Sequence, residues 1–266
     1  MEFQSQQPCT VAAVVTRGST PCCAAGYADG CLRLFDLSTA ALAWSAYHHS
    51  AGAAIFAMHL SPDGMELLTI ARDGSMALFS LRDGGLLGEW QEAASDTTGQ
   101  RAAAAAVSRE DKAMCAVAYA GSCIVVSSPW RQRACVVKGR YVCPQTCLAM
   151  ESADSVPASV AFGPQGTVLY SSPLLQTMVE YDYEQGGVLR NIGMQCCATV
   201  LDLSFCGTMV AFADANGSVG LFKYHEGDVV RQQGQFMDCQ TLHFTPDNQY
   251  LMAGAGRTVV MYSMRC

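Results

Sequence analysis

Residues 67–81 read Leu-Leu-Thr-Ile-Ala-Arg-Asp-Gly-Ser-Met-Ala-Leu-Phe-Ser-Leu, and residues 22–37 read Cys-Cys-Ala-Ala-Gly-Tyr-Ala-Asp-Gly-Cys-Leu-Arg-Leu-Phe-Asp-Leu. Both are an apolar run, an Asp-Gly pair and a second run that ends in Phe. A third copy at residues 209–223 carries Asn216-Gly217 where the first two carry Asp29-Gly30 and Asp73-Gly74. Asp-Gly and Asn-Gly supply the positive φ values of a two-residue hairpin turn, so each copy is expected to be a pair of antiparallel strands.

A further apolar run precedes each hairpin and closes on a second kind of turn: Ser61-Pro62-Asp63-Gly64, Gly163-Pro164-Gln165-Gly166 and Thr245-Pro246-Asp247-Asn248. Proline presets φ at the second turn position, and glycine or asparagine accepts the left-handed conformation that follows. With the second hairpin residue as marker, the copies fall at Gly30, Gly74, Gly121, Gln176, Gly217 and Gly256, spaced by 44, 47, 55, 41 and 39 residues. A period of ~40–45 residues with four short strands per unit is that of a β-propeller blade.

The expected fold is therefore all-β, a propeller of four-stranded antiparallel blades in one domain over residues 1–266. Six blades are expected at about 9–47, 51–92, 101–140, 157–193, 199–234 and 237–266, with 141–156 an inter-strand loop in the longest gap. The last unit stops on its third strand, which suggests an incomplete propeller or part of a seven-bladed or larger multi-propeller protein.

Composition limits the function classes. Half of the residues are hydrophobic and 15% charged, and there are 24 glycines, as in a well-packed, turn-rich chain. No uninterrupted apolar run is long enough to span a bilayer, and residues 1–7 lack a basic segment followed by an apolar one, so a cytoplasmic protein is expected. A net charge of -7 repels phosphate backbones and anionic lipid, which argues against nucleic-acid and membrane partners. The 14 cysteines sit in apolar runs such as 114–117 and 134–137 and read as small hydrophobes.

The pattern of Ser-Pro-Asp-Gly, strand, Asp-Gly, and strand ending Phe-Asp-Leu resembles the WD-repeat family over nearly the whole chain. The terminal Trp-Asp of that family is represented only by Phe35-Asp36 and Tyr181-Asp182, with Phe79-Ser80, Phe222-Lys223 and Tyr262-Ser263 elsewhere. The family's buried Asp-His-Ser-Trp hydrogen-bond set is therefore not expected in most blades. A narrower stretch, residues 21–35 followed by His48 and His49, is similar to the centriolar WD repeat-containing protein 90 family. That resemblance implies a scaffold that binds protein partners, tubulin or centriolar and ciliary proteins, at the centriole, the cilium basal body or another part of the cytoskeleton. The tubulin-binding module of that family is not among these residues, and microtubule binding that depends on it does not carry over.

Candidate sites follow from departures from the repeat. Residues 130–140 hold four cations and no acid in an acidic chain. Trp130 could anchor a partner while Arg131, Arg133, Lys138 and Arg140 pair with its carboxylates; the competing reading is a solvated outer strand whose charges discourage edge pairing. His48 and His49 are expected at the start of the second blade, one of them bonding the next hairpin, and not as metal ligands. Cys143 and Cys147 lack the second pair that a zinc site needs. Gly-x-Ser-x-Gly, a phosphate-loop lysine and His-Glu-x-x-His are all missing, and residues 253–258 are expected to form a hairpin turn. Asp29, Gly30, Asp63, Gly64, Asp73, Gly74, Asn216 and Gly217 recur at matching places and are expected to be structural turns. The reading is a non-enzymatic scaffold with no catalytic residue, cofactor, metal or small-molecule substrate. A substrate-receptor or complex-assembly propeller unrelated to microtubules is the alternative, and an enzyme framed on a propeller is a third.

Overall fold

A computed structural model of the chain describes residues 7–49, 53–61, 63–91, 102–108, 115–119, 123–127, 146–149, 158–164, 166–172, 175–183, 185, 187–194, 196–227, 229–233, 236, 238–255 and 258–264. Among these the regular structure is all strand, in small antiparallel sheets ordered as the chain runs. The first sheet is β1 (Cys9–Arg17), β2 (Thr20–Tyr27), β3 (Cys31–Asp36) and β4 (Ala41–Tyr47), and the second is β5 (Ile55–Leu60), β6 (Glu66–Ala71), β7 (Ser75–Ser80) and β8 (Leu86–Gln91). The third holds β9 (Ala102–Val107), β10 (Cys115–Tyr119), β11 (Cys123–Ser127) and β12 (Thr146–Ala149); the fourth holds β13 (Ser159–Phe162), β14 (Thr167–Ser172), β15 (Thr177–Asp182) and β16 (Gly187–Gly193). The fifth is β17 (Ala198–Leu203), β18 (Met209–Asp214), β19 (Val219–Lys223) and β20 (Val229–Gln233), and the sixth is β21 (Thr241–Phe244), β22 (Tyr250–Ala255) and β23 (Thr258–Ser263). The five four-stranded sheets are propeller blades, one fewer than the six expected, because the sixth sheet holds three strands among the described residues; no described helix is long and apolar enough to cross a membrane.

The repeat is visible in the register. The pairing of third and fourth strands slips by one residue at Leu34/Phe35, Leu78/Phe79, Glu180/Tyr181 and Leu221/Phe222, each time at the aromatic that is next to last in the third strand. A bulge there adds local twist at the same level of each sheet.

The hairpins differ from the two-residue turns expected. Three residues, Ala28–Gly30 in the first sheet and Arg72–Gly74 in the second, separate the paired strands, and only the glycines have positive φ, +82° in both. The Gly30 N–H donates to the Tyr27 carbonyl at 3.1 Å and the Gly74 N–H to the Ala71 carbonyl at 3.0 Å, a turn closed by a left-handed glycine. The carboxylate therefore serves as an acceptor within the turn, where Asp29 Oδ1 takes the Cys31 N–H and Asp73 Oδ1 the Ser75 N–H, each at 3.0 Å. Glutamine at the degenerate fourth marker still adopts the left-handed conformation, with Gln176 at φ 51°. Gly121 and Gly256 lie outside the described residues.

The stretch 141–156, expected as a loop, contains β12, which pairs with β11 as the outer strand of the third sheet. Short length and the polar residues around it hide this strand in the sequence.

Two compact units emerge, one running to Ala102 and one made of Ala103–Ser127 and Pro144–Cys266. In the first, Leu32 and Leu34 of β3 pack with Ala77 and Phe79 of β7. In the second, Ala116 packs with Phe162 and Tyr170, Met178 and Leu169 with Phe212 and Phe222, and Val219 and Leu221 with Leu251 and Ala253. Alternate residues of β15 and of β19 thus face opposite neighbours, Met178 against Val179 and Leu221 against Phe222, and burial of each such side chain contributes ~1.5–3 kcal/mol.

Candidate functional site

The functional chemistry that can be built from the described residues lies in polar junctions between consecutive sheets and in the turns at the sheet ends. In the first unit, His49 follows β4 and reaches into the second sheet. Its Nδ1 lies 2.8 Å from Ser75 Oγ and its Nε2 lies 2.8 Å from Thr69 Oγ1. Ser75 also donates its only hydroxyl proton to Asp73 Oδ1 at 2.6 Å, so Ser75 must accept from the imidazole. That assigns the Nδ1–H tautomer; Nε2 then accepts from Thr69, whose single hydroxyl proton is shared between this 2.8 Å contact and the Ala77 carbonyl at 3.2 Å. Burial holds the His49 pKa below its ordinary value, against the pull of Asp73. Trp44 of β4 makes a second link, donating Nε1–H to the Leu81 carbonyl at 3.1 Å.

One histidine of the pair thus bonds the next hairpin. Phe79, next to the end of β7, offers no side-chain N–H to extend the set.

In the second unit, a charged junction was not foreseen from the sequence. Glu180 of β15 is 6% exposed and accepts at both oxygens: Arg190 Nε donates to Oε2 at 2.5 Å and the Tyr224 hydroxyl donates to Oε1. The Arg190 guanidinium lies 4.6 Å from the centre of the Tyr224 ring and donates to the His225 carbonyl at 3.2 Å. Burial, then the bond to Glu180, pushes the Tyr224 hydroxyl up to about 12. The signal was present as an acid among the otherwise apolar residues 178–181, at a position where β3, β7 and β19 carry Leu34, Leu78 and Leu221.

The turns before the second strand hold their residues as tightly. Asp63 Oδ1 takes the Ser61 hydroxyl at 2.5 Å and the Met65 N–H at 3.0 Å, which keeps its carboxyl below the usual range, and Gly64 has φ +70°. Asp247 repeats this with Thr245 and Gln249. In the fifth sheet Phe205 replaces the proline of the other turns; its ring is half exposed and its N–H donates to Asn248 Oδ1 at 2.7 Å. Asn216 is exposed beside Gly217, whose φ is +84°.

Trp130, Arg131, Arg133, Lys138 and Arg140 lie outside the described residues, as do Cys143 and most of 141–156. No group of three or more His, Cys, Asp or Glu among the described residues is arranged to hold a metal ion. Neither a model of a known protein family nor a curated protein matches the chain.

Proposed function

We propose that the chain is a non-enzymatic scaffold of the cytoplasm that binds protein partners through the turns and strands at the ends of its blades, in assembly of centrioles, cilia or another microtubule structure. The observation that carries the binding role is the architecture. Propeller blades form a rigid frame that presents short turns, a fold-level analogy that favours recognition over chemistry. The acids that recur along the chain support it: Asp29, Asp63, Asp73 and Asp247 each spend their carboxylate on N–H or hydroxyl groups of their own turn. A carboxylate engaged in this way is a poor general base.

The microtubule part of the proposal rests on the resemblance of residues 21–35 and on the cations at 130–140, which suit an acidic surface such as that of tubulin. Imaging the tagged full-length protein in ciliated cells tests it. A centriolar or ciliary focus is expected, weakened by reversal of charge at Arg131 and Arg133. A diffuse signal that those substitutions leave unchanged contradicts the microtubule role, while partner capture without such a focus leaves a scaffold of another kind.

A further inference from the structure

The three left-handed hairpin glycines follow two aspartates and one asparagine, and the structure supplies a reason. In the first and second sheets the turn aspartate itself accepts the N–H two residues on, from Cys31 and Ser75. In the fifth sheet the matching N–H, that of Ser218, is already bonded to Asp214 Oδ1 at 2.7 Å, and the same oxygen takes the Asn216 N–H at 2.9 Å. Asp214 is buried, so a carboxylate at position 216 would compete for one N–H against a charge that water barely screens. The neutral amide avoids that conflict.

The amide is also chemically exposed. Asn216 is followed by a residue with no side chain to obstruct attack on its carboxamide, whereas Asn191 and Asn248 precede Ile192 and Gln249. We propose that Asn216–Gly217 is a site of spontaneous covalent modification whose rate is set by opening of the Asp214 turn and whose product loosens the fifth sheet. The Gly217 nitrogen, on losing its proton, bonds to Asn216 Cγ; the C–N bond of the carboxamide breaks and ammonia leaves, giving a succinimide. Water then adds across one of the two imide C–N bonds to leave aspartate or isoaspartate, so the net change is uptake of one water and release of one ammonia.

In the closed turn the nucleophile is held back, because the Gly217 N–H donates to the Asp214 carbonyl at 3.2 Å. Once formed, either product places a second carboxylate beside Asp214. Isoaspartate also lengthens the backbone next to Gly217, whose carbonyl accepts the Phe236 N–H at 2.7 Å. Phe236 packs on the core shared by the fifth and sixth sheets, so the damage reaches that seam.

The test is timed incubation of the full chain at mildly alkaline pH with peptide mapping by mass spectrometry. Conversion is expected at Asn216 and not at Asn191 or Asn248, slower in the folded than in the unfolded chain, and faster by about tenfold in Asp214→Ala, which frees the turn. Thermal melting completes it: Asn216→Asp should melt below Asn216→Gln, and Asp214→Asn, which keeps an acceptor without the charge, should remove that difference. Equal conversion rates in wild type and Asp214→Ala, or an intact Asn216 in folded chain after the unfolded chain has fully converted, would overturn the proposal. Equal melting of Asn216→Asp and Asn216→Gln would overturn its account of the product.

Discussion

The junction between the first two sheets and that between the fourth and fifth do the same job with opposite chemistry. At the first, a neutral imidazole relays hydrogen bonds from Thr69 through His49 and Ser75 to Asp73. At the other, a buried carboxylate is neutralised by Arg190 and capped by Tyr224. A neutral imidazole carries no ionic desolvation penalty and its loss costs ~1–3 kcal/mol, while a buried ion pair is costly to assemble and costlier still to break. The two seams should therefore fail differently, and each difference can be measured.

The largest effect is expected at the charged seam. Arg190→Met leaves Glu180 buried without its cation and should cost ~3–5 kcal/mol in denaturant unfolding. Combining it with Glu180→Leu, the residue type found at the equivalent places 34, 78 and 221, should recover most of that loss, because removing both charges removes the desolvation penalty as well. A double variant no more stable than Arg190→Met would remove the contrast. At the imidazole seam, His49→Ala should cost about 2 kcal/mol, from loss of the ring's two hydrogen bonds and its packing, while Ser75 keeps Asp73 and Thr69 keeps the Ala77 carbonyl.

Dependence on pH separates the seams by sign. His49 has its pKa lowered by burial, so the folded state favours the neutral ring; its stabilisation is complete above the ordinary value of 6.5 and declines as pH falls below it. Tyr224 is shifted the other way, from 10.0 to about 12, so its contribution is complete below 10 and is lost as pH rises from 10 to 12. Melting curves across pH should show an acid limb that His49→Gln flattens and an alkaline limb that Tyr224→Phe flattens. The smallest change is expected from Trp44→Phe, which removes one hydrogen bond to Leu81 and should cost about 1 kcal/mol by the same unfolding measurement.

The same comparison explains what could be read from the sequence. Glycine at 30, 74 and 217 announces the hairpins because few other residues adopt φ near +80°, and the apolar alternation beside them announces the buried strands. The length of each turn was not legible: Asp-Gly fits both a two-residue hairpin and the three-residue turn present here, and the choice depends on strand register. His49 is legible at its junction because it stands between the end of one blade and the first strand of the next. Glu180 was missed because its partners, Arg190 on the next strand and Tyr224 in the next sheet, meet it only after the sheets stack. For the basic stretch 130–140, the proposed docking surface, charge alone marks the site, and charge carries no register.

Amide hydrogen exchange followed by mass spectrometry tests the stacked-sheet account most directly. The second and third strands of each four-stranded sheet, such as β6, β7, β14 and β15, are paired on both sides and should exchange slowest, with the 28–30 and 72–74 turns fast between strands of the first two sheets. Central strands that exchange as fast as these turns, or slow exchange running without interruption through residues 67–81, would contradict it.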